Sequence, residues 1–157
     1  MTVHKLTRHT RLAHPIGRVF EFFSRAENLE QITPPWLAFR ILTPPPIELR
    51  EGALIEYALR VRGLPMRWVS RITHWNPPHR FTDIQERGPY RLWEHTHSFV
   101  EVEGVTEMTD TVRYALPFGP LGELAHRLVV ARDLRSIFDY RAKSVDSLMR
   151  HVRINSH

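Results

Sequence analysis

The chain has 157 residues, 42% of them hydrophobic and 25% charged, a globular balance that excludes disorder and suits one domain, expected over residues 1–157. It contains no cysteine, which excludes disulfides, thiolate metal sites and cysteine nucleophiles and fits a reducing cytoplasm. Its net charge is +5 and its pI about 10.2, but the basic residues are scattered rather than clustered, so no nucleic-acid partner is expected.

The chain begins MTVHKLTRHTRL, which is basic without an apolar core, so no signal peptide is expected. No run of about 18 apolar residues follows, so no stable membrane insertion is expected. Val3 to Leu12 reads as an edge strand. Pro15 is expected at a first helical position, where its missing N–H is no loss. Ile16, Val19, Phe20 and Phe23 then fall at i, i+3, i+4 and i+7, the apolar face of a short helix. Asn28 to Ile32 reads as a second helical turn, stopped by Pro34-Pro35, and Pro44-Pro45-Pro46 as a stiff loop.

The period then changes to two. Ile55, Tyr57, Leu59 and Val61 share one face of a strand over Ala53 to Val61, and Met66, Trp68, Ser70 and Ile72 share a face of the next, after a turn at Gly63 and Pro65. Asn76-Pro77-Pro78 ends that strand. Strands over Phe81 to Arg87, Tyr90 to Val102 and Val105 to Leu116 follow, turned at Gly88-Pro89 and Glu103-Gly104, as in an antiparallel meander. Pro117, Gly119, Pro120 and Gly122 read as a rigid connector. Glu123 to His151 then runs about 30 residues without Gly or Pro, a helix roughly 45 Å long. Leu124, Leu128, Leu134, Phe138, Ala142, Val145, Met149 and Val152 mark its apolar stripe, which must pack on the sheet. Arg127, Arg132, Arg135 and Arg141 read as its solvated side, and Trp36 and Trp75 as packing residues.

The expected order is a strand, two short helices, six strands and a long helix. Together with the strings Pro15-Ile16-Gly17-Arg18-Val19-Phe20-Glu21-Phe22-Phe23, Asn28-Leu29-Glu30-Gln31-Ile32-Thr33-Pro34-Pro35-Trp36, Gly88-Pro89-Tyr90-Arg91-Leu92-Trp93-Glu94-His95-Thr96-His97 and Leu116-Pro117-Phe118-Gly119-Pro120-Leu121-Gly122, this order resembles the SRPBCC superfamily. These are the START-like and birch-pollen-allergen-like proteins, here of the bacterial ligand-binding and polyketide cyclase/dehydrase-like group. The resemblance covers nearly the whole chain. It implies an α+β helix-grip fold, a curved antiparallel seven-stranded sheet wrapped around a long C-terminal helix. It also implies a hydrophobic cavity between sheet and helix.

Alternation orients the strands toward that cavity. Phe99 places Trp93, His95 and His97 inside; Val112 places Met108, Asp110 and Tyr114 inside; Phe81 places Asp83 and Gln85 inside. With Tyr57, Trp68, Ser70 and Phe138 these are the candidate ligand-binding residues. His95, His97 and Asp110 are the candidate catalytic residues for the alternative reading, a cyclase or dehydratase using a His–Asp acid–base cluster. The same three have a two-His-one-carboxylate composition, but that spacing is common by chance, and neither a metal nor another cofactor is expected. The expected partner is a lipid-like or polycyclic small molecule, and the oligomeric state is open between monomer and dimer.

Overall fold

The structure, a computed structural model, describes residues 1–152, with side chains through Arg150. Its elements are β1 (His4–Leu12), α1 (Ile16–Phe23), α2 (Asn28–Gln31), a 3₁₀ turn (Pro35–Leu37), β2 (Arg40–Ile41), β3 (Leu54–Val61), β4 (Leu64–Asn76), β5 (Arg80–Arg87), β6 (Leu92–Val102), β7 (Val105–Ala115), α3 (Gly119–Ala125), a π turn (His126–Val130) and α4 (Ala131–Val152). The seven strands form one sheet in the order β1-β7-β6-β5-β4-β3-β2, and every neighbouring pair is antiparallel. This is the expected helix-grip architecture, with the two short helices after the first strand.

Four local readings are corrected. Pro15 caps α1 from outside with extended backbone (φ −61°, ψ 150°), so the helix starts one residue later than expected. The strand that no alternating run marks is β2, only two residues long and anchored by pairing with Ala58 and Tyr57. The β3–β4 turn is Arg62-Gly63, both with positive φ as a two-residue hairpin turn requires, so Pro65 lies inside β4 rather than in the turn. The helical C-terminal segment begins at Gly119, inside the supposed connector, because proline is tolerated in a first turn and Gly122 lets that turn seat on the end of β7.

Gly122 is buried, and a Cβ there would run into the Pro117 carbonyl oxygen and crowd Leu116. A Cβ added at Gly17 in α1 would meet nothing within 4 Å. Gly122→Ala is therefore expected to destabilise by about 1–3 kcal/mol, and Gly17→Ala to stabilise by about 0.5–1 kcal/mol. Urea denaturation of the two variants checks this, and a neutral Gly122→Ala would refute the close approach.

The apolar stripe of the long helix is only half as expected. Leu134, Phe138, Val145 and Met149 are buried and Ala142 half-buried, but Leu124 and Leu128 are 53% and 68% exposed. At about 100° per residue, regular α-helix would place Leu124 within about 40° of Phe138. The π turn inserts about one extra residue and rotates everything before it, which swings Leu128 to about the opposite side. Gly122 and His126 take the inward positions instead. Val152, also expected on the stripe, lies outside the described side chains.

The core divides along the helix. Val19 and Phe20 of α1 pack with Phe81, Phe99, Met108, Val145 and Met149, while Val112, Tyr114, Leu134 and Phe138 form a second cluster. Ile55, Tyr57 and Ala26 form a third under the β2 edge. Between the clusters the sheet and α4 separate, and a cavity remains.

Candidate functional site

The cavity has a volume of about 850 Å³. One wall is α1–α2, from Phe22 to Thr33; the floor is the concave face of β3 to β6; the roof is α4, through Leu134, Ile137, Phe138 and Arg141. The inward registers inferred from alternation hold at Tyr57, Trp68, Ser70, Asp83, Trp93, His95, His97 and Phe138, all of which line it. A bulge in β4 between Ile72 and His74 then brings both Ile72 and Trp75 to the inner side, three residues apart.

Four expected lining residues sit elsewhere. Gln85 is occupied by the β5–β6 turn: its amide donates to the Tyr90 carbonyl at 2.7 Å and its Oε1 accepts the Tyr90 N–H at 3.0 Å. Met108 is buried in the cluster around Phe20. Tyr114 shares a 2.8 Å hydrogen bond with His126 Nε2, which the π turn aims at the sheet. Asp110 lies behind the imidazoles, reaching them from the side away from the cavity lining. For Met108, Tyr114 and Asp110 partners from other elements took up the side chain, and for Gln85 the adjoining turn did.

The polar residues of the floor form one connected cluster. His95 stands opposite Asp83 across β5–β6, and His97 opposite Asp110 across β6–β7. Each imidazole nevertheless leans to the diagonal carboxylate. His95 Nε2–H donates to Asp110 Oδ1 at 2.7 Å, and His97 Nε2–H donates to Asp83 Oδ2 at 3.0 Å. His97 Nδ1 lies 3.3 Å from Asp110 Oδ1, off line for a hydrogen bond, so this contact is ionic. The two imidazoles stack at 3.7 Å, Phe81 stacks on His97 at 4.0 Å, and Phe138 meets His95 edge-on at 5.6 Å.

This geometry sets the charges. Burial opposes ionisation of Asp110, but the His95 hydrogen bond and the two close imidazoles override it and hold the carboxyl far below its ordinary range. Burial likewise opposes ionisation of Asp83, and the His97 bond, both histidines and the Arg141 charge override it. Burial pushes His95 below its ordinary value, reinforced by the neighbouring His97 charge. Burial works against a charge on His97 too, but its two carboxylate neighbours raise it above the ordinary value. The shifts run in opposite directions, favouring the neutral form of His95 and the charged form of His97 between two carboxylates.

Asp83, His95 and His97 offer ligand atoms within 4.8 Å of one another, so the carboxylate placed for a shared ion is Asp83 rather than the expected Asp110. His4, Glu123 and His126 form a second such group at the start of the helical segment. His4 and His126 stack at 3.6 Å there.

One tryptophan reading and one arginine reading also change. Trp36 is 59% exposed at the cavity rim, edge-on to Tyr140 at 5.8 Å. Trp68 and Trp93 meet edge-to-face at 5.2 Å in the wall, with Trp68 Nε1–H donating to Ser70 Oγ at 3.0 Å. Arg141, expected on the wet side of the helix, lines the cavity, with its guanidinium carbon 5.1 Å from the centre of the Phe138 ring. The signal was present in the spacing, since Leu134, Phe138 and Arg141 fall at i, i+4 and i+7. An arginine on an apolar face reads as solvated unless the space beneath it is known.

A curved sheet gripping a long helix around an apolar cavity defines a helix-grip protein. The chain belongs to the polyketide cyclase/dehydrase and lipid transport family, whose model matches residues 12–139. Solved structures are similar over almost the whole length. A START superfamily protein from Mycobacterium smegmatis is 12% identical with a TM-score of 0.71, covering 95% of this chain and 99% of that one. A protein from Thermus thermophilus is 20% identical with a TM-score of 0.63, covering 92% and 99%. Ara h 8.0201 is 14% identical with a TM-score of 0.64, covering 93% and 99%. No curated protein matches the chain by sequence.

Proposed function

We propose that the protein binds and carries a hydrophobic small molecule, lipid-like or polycyclic, in the cavity between the sheet and α4. The observation that carries this reading is a cavity of about 850 Å³ with mainly apolar walls and a few polar groups, the buried Asp83–His97–His95 cluster of β5 and β6 among them. Sites for small molecules typically fall between about 300 and 1,000 Å³ and share that division of labour. Binding is favoured over the acid–base alternative because the hydrogen bonds of His95, His97, Asp83 and Asp110 run mainly among themselves. The family description, which names lipid transport beside cyclisation and dehydration, accommodates both.

The test uses the neutral fluorescent probe N-phenyl-1-naphthylamine. The native protein is expected to bind it saturably, with about one-to-one stoichiometry. Ser70 is buried at the cavity floor beside Trp68. Ser70→Trp is expected to fill the space and abolish the signal while the variant still melts cooperatively. Absence of saturable binding to the native protein, or undiminished binding to a folded Ser70→Trp variant, would refute the reading.

A further inference from the structure

Arg141 is a cavity residue whose charge the apolar-carrier reading leaves unused; Arg25 and Arg62, which also line the cavity, are paired with Glu21 and Asp133. Its side chain projects from α4 with Leu134, Ile137 and Phe138. Its Nε is buried without a hydrogen-bond partner, and the guanidinium makes no ion pair with any described residue. Of the acidic residues lining the cavity, Asp83 is already engaged by His97 at 3.0 Å and Asp133 by Arg62 at 2.9 Å. A guanidinium stays charged at any physiological pH, and in a partly desolvated site it favours a planar anion that it can grip with two N–H groups. Its outer flank is the Phe138 ring, which orients the fork without neutralising it. The Tyr57 and Ser70 hydroxyls line the same cavity, and Ser70 Oγ accepts the Trp68 N–H at 3.0 Å. The remaining walls are mainly apolar.

We propose that the cavity selects amphipathic acids, molecules with an apolar body and one ionised carboxylate, and that Arg141 is the residue that binds the carboxylate. This rests on the cavity-binding reading and narrows it to a ligand class. In the bound state the carboxylate lies against the guanidinium fork, and the apolar body extends along the β3–β4 face toward the rim at Trp36. Asp83 on the floor and Asp110 behind the imidazoles do not repel this head group to the same degree as free anions would, because each accepts an imidazole N–H.

The experiment compares three probes that share one fluorescent body: 1-pyrenebutanoate, 1-pyrenebutanol and 1-pyrenebutylamine. The native protein is expected to bind the acid at least about tenfold more tightly than the alcohol, and the amine most weakly, as a charge-assisted contact in a partly dry site requires. In Arg141→Met the acid-to-alcohol ratio is expected to fall to near one. Arg141→Lys, which keeps the charge without the fork, is expected to fall between. Equal binding of acid and alcohol by the native protein, strongest binding of the amine, or an acid preference that persists in Arg141→Met would each overturn the proposal. The native-protein ratio decides the matter even where a variant does not fold. Binding of the alcohol without acid preference sinks this inference alone, whereas failure of all three probes sinks the cavity reading beneath it.

Discussion

Asp110→Ala is expected to destabilise the protein by about 3–5 kcal/mol, the cost of removing one partner from a buried ionic network. Asp110 is 3% exposed, and its Oδ1 is the acceptor for His95 at 2.7 Å and the ionic partner of His97 at 3.3 Å. Without it, His95 loses its hydrogen bond and His97 keeps only Asp83. Urea denaturation at neutral pH measures the loss. Asp146→Ala serves as control, because its i,i+4 pair with Arg150 is largely exposed and contributes little. Equal losses in the two variants would mean that the cluster is not a structural unit.

The same cluster dictates a pH profile. His97 is raised above 6.5 in the folded state, so its contribution is complete below pH 6.5 and disappears as pH rises through the higher folded value. His95 is lowered below 6.5, so the unfolded chain takes up its proton first on acidification, and stability falls as pH drops below 6.5. Asp83 and Asp110 are lowered too, which adds a further loss in acid as pH falls below their ordinary value of 3.8 and through their folded values. Stability should therefore peak near pH 6.5 and fall on both sides. In Asp110→Ala the alkaline fall should be smaller and end at lower pH, because one of the two carboxylates that raise His97 is gone. A profile that climbs steadily through pH 8 in the native protein would contradict the assigned charges.

Phe20→Ala is expected to cost a comparable amount, about 3–5 kcal/mol. Phe20 is 5% exposed and meets three rings edge-on: Trp75 at 5.2 Å, Phe99 at 5.5 Å and Phe81 at 5.9 Å. It joins α1 to β4, β5 and β6, so the space left by truncation is bounded by elements that cannot close in together. Glu21, one residue on, faces solvent and pairs with Arg25 at 2.8 Å. Glu21→Ala should cost only about 0.3–0.5 kcal/mol. Similar melting temperatures for the two variants would place the wrong face of α1 against the sheet.

Much of this molecule was legible from local pattern. The faces of β3, β4, β6 and β7, the apolar face of α1 and the inward stripe from Leu134 onward all follow from period, because a residue's direction within a strand or helix is set by its own backbone. For the same reason Tyr57, Ser70, Trp93, His95 and His97 could be assigned inward before any contact was known. The sequence also carried the family likeness, and with it the grip of sheet on helix.

What only the tertiary structure decided was which inward side chains remained available to a cavity. Gln85, Tyr114 and Asp110 point inward as expected, yet the Tyr90 backbone, His126 and the two imidazoles take them up. The diagonal pairing of His95 with Asp110 and of His97 with Asp83 depends on the stagger of three strands, which no single strand's alternation specifies. The π turn moved Leu124 and Leu128 outward by one added residue, a change of phase that periodic spacing cannot register. Arg141 shows the limit most directly. Its position on α4 was readable, but whether that position meets solvent or a cavity depends on how far the helix stands from the sheet. That separation is set by packing among residues more than a hundred positions apart, such as Phe20 and Met149.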